Sequence, residues 1–112
     1  MFDDFFYDDY KKIIACKNEG KVISFVSGNF NIIHTGHLRL FKFAREISDF
    51  LVVFVNSDRT NGVSVPLMFR VEGLKALSIV DCVISNENGI DAVIGNIQPN
   101  YVCLLYTSPS PR

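Results

Sequence analysis

His34 and His37 stand three residues apart with Gly36 between them, where the apolar stretch 22–26 gives way to a helical pattern beginning at Leu38. A helix start leaves backbone N–H groups unpaired and carries partial positive charge, so it favours an anion, and imidazole donors aimed at the same point add to that preference. Residues 28–37, Gly-Asn-Phe-Asn-Ile-Ile-His-Thr-Gly-His, are therefore a candidate phosphate-holding box. Residues i and i+3 also share a helix face, so the same pair could be half of a metal site or a solvated surface pair. Neither GxGxxG nor GxxxxGK(S/T) occurs, which excludes the dinucleotide fingerprint and the P-loop. A phosphate site in this chain is of the histidine type.

Periodicity gives the elements that must position the box. Residues 22–26 read as a first strand. Residues 36–47, with Leu40, Phe41, Ala44 and Ile47 on one face, read as a helix, and 50–55, apolar on both faces, as a central parallel strand. Strand, helix, strand is a βαβ unit with a right-handed crossover. Ahead of it, Phe2, Phe5, Phe6, Tyr10, Ile13 and Ile14 recur at helical spacing among aspartates, which predicts an amphipathic helix over 3–17 covering the sheet. Beyond it, Pro66 suits the N1 position of a helix with Leu67, Val71, Leu74 and Leu77 facing inward. A short strand at 81–85, a helix around 89–97 and a strand from Tyr101 complete the order. The expected class is α/β: a Rossmann-like open parallel sheet with flanking helices in three αβα layers, incomplete at the C-terminus. In such sheets ligands bind beyond the carboxyl ends of the strands, where both the box and Asn56-Ser57-Asp58 emerge.

Of the 112 residues, 48% are hydrophobic and 21% charged, the balance of one small globular domain. A formal net charge of −1 offers no field for nucleic acid, and the longest apolar run, 50–55, is far short of a membrane span. The acidic start Met1-Phe2-Asp3-Asp4 is unlike a secretory leader. Cys16, Cys82 and Cys103 form no CxxC pair, so reduced thiols in the cytoplasm are expected.

The box and its surroundings resemble a known family. Gly28-x-Phe30-Asn31-x-x-His34-x-Gly36-His37, then Asn56-Ser57-Asp58, Pro66, Arg70, Val80-Asp81 and Pro99-Asn100-Tyr101-Val102, are similar to the ordered HxGH motif set of the cytidylyltransferase-like nucleotidyltransferases. Within that group the likeness is to the sugar-phosphate branch, such as heptose-phosphate adenylyltransferase domains and glycerol-3-phosphate cytidylyltransferase. The resemblance implies transfer of AMP or CMP from ATP or CTP, carried with Mg²⁺, to a sugar or polyol phosphate, with release of pyrophosphate. The implied catalytic residues are His34, His37 and Arg70, the last reaching the triphosphate from the helix after the second strand. Gly28, Asn29, Phe30, Asn31, Gly36 and Asp58 are implied nucleotide-binding residues. Gly36 would let the backbone approach the nucleotide, Asn29 would serve the loop backbone, and no resident metal is implied. A nearby triphosphate would favour charged imidazoles. Asp58 and Asp81 also fit strand-end caps, and Arg70 an ordinary exposed helical arginine. The implied partners are the nucleoside triphosphate and a phosphorylated acceptor, with room for a homodimer. The rival readings are a nucleotide-binding or assembly domain without catalysis and a histidine metal-binding module.

Two departures from the family pattern matter. Relatives carry phosphate-gripping lysines after the second strand, whereas Arg59 is the only cation in 59–65. Residues 103–112, Cys-Leu-Leu-Tyr-Thr-Ser-Pro-Ser-Pro-Arg, resemble the in-frame translation of a transposase-type sequencing adapter. Three segments are thus expected: an N-terminal helix over 1–20, a nucleotidyltransferase domain over 21–102 and a non-native tail over 103–112. The family's Ser/Thr-rich motif lies past the strand that runs into this tail. The parent protein is therefore expected to be an enzyme and this chain to be inactive or nearly so.

Overall fold

The computed structural model describes residues 6–60 and 62–105. Strands β1 (Ile23–Gly28), β2 (Phe50–Val55), β3 (Cys82–Ile84) and β4 (Tyr101–Leu104) form one parallel sheet in the order β3-β2-β1-β4. Between and before them run α1 (Tyr7–Asn18), α2 (Thr35–Glu46), α3 (Leu67–Lys75) and α4 (Asp91–Ile97). The chain runs from β1 through β2 to β3 in one direction and then back across to β4, and parallel crossovers of this kind follow the right-handed rule. That reversal puts α4 on the opposite face from α2 and α3, and α1 packs beside α4, giving three layers.

β2 has the expected bounds. A strand with neighbours on both edges and helices on both faces must be apolar throughout, and residues 51–55 are wholly buried. β1 instead runs two residues beyond its apolar stretch, because Ser27 and Gly28 still pair with Phe54 and Val55. The N-terminal helix begins at Tyr7, with Asp8 and Asp9 in its positive first turn; positions 3–5 of the expected helix lie outside the described residues. Pro66 is the N-cap of α3 rather than N1. Its ψ of 145° is extended, while its carbonyl already accepts from Phe69 and Arg70 N–H. Burial pushes the Cys82 thiol up to about 12, and its Sγ donates to the Asp9 carbonyl at 3.6 Å, joining β3 to α1.

Three side chains seal the amino-terminal edge of the sheet. Asp49 Oδ2 accepts from Val22 N–H at 2.8 Å, Asn100 Oδ1 from Ile23 N–H at 2.8 Å and Asp81 Oδ2 from Leu51 N–H at 2.7 Å. Each precedes one strand and holds the start of the neighbouring strand or the residue before it. Asp81, also paired with Arg45 at 3.1 Å, is thus a strand-end cap at the edge opposite the box.

At the carboxyl edge, β4 continues two residues past Val102, and Leu105 N–H donates to Ser27 O at 2.8 Å. Ladder bonds are backbone bonds open to any residue that tolerates extended geometry, so this pairing is compatible with either origin of Cys103 and Leu104. Residues 106–112 of the expected tail lie outside the described residues. Among the described residues no helix is long and apolar enough to cross a membrane.

Candidate active site

Beyond Gly28 the chain turns through Phe30, whose φ of 52° is left-handed. That conformation is strained for a bulky residue and persists only where its surroundings hold it. Here the ring is buried, 5.7 Å from Phe41 and edge-on to His37 at 5.2 Å between centroids. Gly28 makes room for it, since a Cβ there would stand 3.2 Å from the Phe30 ring and from Leu105 Cβ. Phe30 is the floor beneath His37.

His34 is the N-cap of α2, in extended conformation with φ −128° and ψ 177°. Its Nδ1 accepts from Gly36 N–H at 3.0 Å, and His37 Nδ1 accepts from His34 N–H at 3.2 Å, a reciprocal capping box built from two imidazoles. An Nδ1 that accepts a hydrogen bond carries no proton, so the neutral rings each hold theirs on Nε2. The rings lie 4.0 Å apart at 32° and present two Nε2–H donors together. Burial, and then the neighbouring His34, hold the His37 imidazole below its ordinary value. Without an anion the site therefore favours neutral His37.

This arrangement has a pH consequence. Because His37 is harder to protonate folded than unfolded, its contribution to stability is complete above about pH 6.5 and is lost as pH falls through its lowered folded value. Thermal midpoints measured from pH 8 to 5 should fall at the acid end, and His37→Gln should flatten that fall.

Gly36 serves the cap as well as lining the cleft described below. A Cβ there would lie 2.8 Å from His34 Cε1 and 3.1 Å from Nδ1, so the space it leaves is filled by the His34 ring. Gly36→Ala should leave stability within about 1 kcal/mol, because gained helix propensity opposes the lost cap.

Arg70, expected to reach the triphosphate, is turned inward with its side chain wholly buried. Nε donates to Val65 O at 2.6 Å, Nη1 to Asn29 O at 2.9 Å and Asn56 O at 2.6 Å, and Nη2 to Asp58 Oδ1 at 2.8 Å. The Asp58 carboxylate is 60% exposed but held in this pair. Asn29 is buried, and its Oδ1 accepts from Asn56 Nδ2 at 2.7 Å. Asn31 Oδ1 accepts from Ser64 and Val65 N–H at 2.8 and 3.1 Å, and its Nδ2 donates to Gly62 O at 2.7 Å.

A cleft of about 440 Å³ opens over the box, lined by Phe30, Asn31, Ile32, His34, Gly36, His37 and Leu40, with Leu105 from beyond β4. It lies outside the carboxyl ends of β1 and β4, where the chain's direction across the sheet reverses, which is the switch-point position for ligands in open α/β sheets. Of the residues singled out in the sequence, Phe30, Asn31, His34, Gly36 and His37 line it. Gly28, Asn29, Asp58 and Arg70 stand behind it. Asn56 and the Val65 carbonyl were not singled out as site residues; Asn56 sits in the Asn-Ser-Asp triplet, whereas a backbone acceptor has no sequence signal. Among the described residues no third His, Cys, Asp or Glu joins the two histidines in a metal-holding group.

A family model described as cytidylyltransferase-like matches residues 25–104. The Bifunctional protein HldE of Geotalea uraniireducens is 36% identical over 93 residues, 76% of this chain and 19% of that protein. Its counterpart in Nitrobacter winogradskyi is 38% identical over 96 residues, 79% and 20% respectively. The chain thus spans about a fifth of the length of these curated relatives. A crystal structure of the lipopolysaccharide core biosynthesis protein from Thermoplasma volcanium superposes with a TM-score of 0.69 at 26% identity, over 82% of this chain and 80% of that one. The family match begins in β1 and ends in β4, taking in the histidine capping box, the Arg70 network and the paired strands around them, and on that ground the chain belongs to the cytidylyltransferase-like family.

Proposed function

We propose that the protein to which this chain belongs is a nucleotidyltransferase, moving AMP or CMP from ATP or CTP to the phosphate of a sugar or polyol. The observation that carries this reading is the pair of imidazoles held 4.0 Å apart at the start of α2, each with its Nδ1 accepting and its Nε2 left to donate, in a cleft at the switch point. An acceptor phosphate oxygen forms a bond to the α-phosphorus as the bond to the β-phosphate oxygen breaks, and pyrophosphate leaves. Such transfers depend on positioning and on stabilising charge at the phosphoryl oxygens, which paired imidazole donors can do. Mg²⁺ enters as part of the substrate. Among the described residues the cleft lining offers imidazole and amide groups and no carboxylate, so phosphate oxygens and water would hold the ion. Dependence on nucleoside triphosphate fits a cytoplasmic protein, and the lipopolysaccharide-core role of the solved relative favours a sugar phosphate as acceptor.

A second reading, nucleotide binding without turnover, has one observation in its favour: Arg70 is committed to loop carbonyls and Asp58 rather than open to a phosphate. A pyrophosphate-release panel separates the two, pairing ATP or CTP with phosphorylated and unphosphorylated sugars and polyols, with and without Mg²⁺. Release that needs both Mg²⁺ and a phosphorylated acceptor supports the transferase. Binding seen by calorimetry with no release in any pairing supports the second reading, and absence of binding overturns both.

A further inference from the structure

We propose that Arg70 and Asn31 form one positioning clamp, which holds the loop after β2 against the loop after β1 and thereby sets the aim of the His34 and His37 donors. The clamp is a closed ring of bonds. Val65 N–H donates to Asn31 Oδ1, Val65 O accepts from Arg70 Nε, and Arg70 Nη1 donates to Asn29 O, two residues from Asn31. A second limb ties Arg70 to Asn56 O and Asp58 at the end of β2. The guanidinium is planar with donors at fixed angles, so it cannot keep these four acceptors and also swing to a phosphate.

Phe30 lies inside the ring, between Asn29 and Asn31. Its left-handed backbone needs external support, and its ring is the surface on which the His37 imidazole rests. Loosening either limb releases that turn and tilts His37, whose Nδ1 bond to His34 N–H transmits the change to the cap. Arg70 and Asn31 are accordingly positioning residues. The proposal depends on the nucleotidyltransferase reading only for what the clamp serves.

The test uses ¹⁵N-histidine spectroscopy on the free chain, with triphosphate and monophosphate affinities measured alongside. Asn31→Ala and Arg70→Lys should move the His34 and His37 ring signals while circular dichroism shows the fold retained. Asn31→Asp, which keeps the acceptor for Ser64 and Val65 N–H, should restore most of the wild-type signals. Asp81→Ala, which weakens the opposite edge of the sheet, should leave them in place. Triphosphate affinity should fall about tenfold or more in Asn31→Ala, the scale of effect that misplacing a positioned group produces. The preference for triphosphate over monophosphate should be unchanged. Unmoved ring signals in Asn31→Ala overturn the clamp. So does an Arg70→Lys chain that loses triphosphate selectively over monophosphate with its imidazoles undisturbed, since that is the mark of a direct phosphate ligand. Absence of nucleotide binding in the full-length parent protein removes the functional reading, while the ring signals still decide on the clamp.

Discussion

His37→Ala is expected to bind ATP or CTP about 10- to 100-fold more weakly than the wild-type chain, and in the proposed full-length transferase to slow pyrophosphate release by about 10²- to 10³-fold. Each imidazole has two tasks on two atoms. Nδ1 caps the start of α2, and on the proposed reading Nε2 carries the proton offered to an anion. The capping task is small, about 1 kcal/mol where a good cap is lost, whereas a donor aimed at developing charge in a cleft contributes about 3 kcal/mol. The two tasks separate experimentally at His34. Asparagine is a strong N-cap, so His34→Asn should melt within a few degrees of wild type yet lose the Nε2 donor. Calorimetry and thermal melts on the same samples check both halves. Undiminished nucleotide affinity in His34→Asn would remove the donor pair from the mechanism.

Arg70→Ala should be the most damaging single change to stability, lowering the unfolding free energy by about 3–5 kcal/mol. Three backbone carbonyls, of Val65, Asn29 and Asn56, lose a charged donor, that of Asn29 in a buried bond and the other two in part-buried ones, and the space of a fully buried guanidinium is left empty. For a domain of this size that corresponds to a fall in melting temperature of about 12–30 °C. Asp58→Asn should cost under about 1 kcal/mol, because its carboxylate is 60% exposed and screened by solvent. Denaturant midpoints for the two variants give the comparison, and an Arg70→Ala chain as stable as Asp58→Asn would show that the loops are held some other way.

What could be read before the structure divides along the range of the forces involved. β2 was legible to the residue because burial on both faces leaves an uninterrupted apolar run. The ends of β1 and α3 were not, since Ser27, Gly28 and Pro66 take their states from hydrogen-bonding partners rather than from hydropathy. The histidine box was visible as spacing, and the resemblance it suggested agrees with the family match. Its internal chemistry was hidden: that Gly36 yields space to His34, that both Nδ1 atoms accept, and that a phenylalanine takes a left-handed turn all depend on atoms meeting in three dimensions. Arg70 shows the same limit most plainly. Its acceptors lie 5, 12, 14 and 41 residues away, and three of the four are backbone oxygens, so the composition around Arg70 cannot distinguish a buried tie from a phosphate ligand.

The three caps at Asp49, Asp81 and Asn100 bear on how such a chain can diverge. They hold strand register at one edge of the sheet, through short side chains outside the cleft, while the cleft is lined mostly from the loop and helix start at the other. Drift in the loops then leaves register intact, and drift at the caps leaves the cleft's chemistry intact. A lineage built this way can change what it accepts without relearning how to fold.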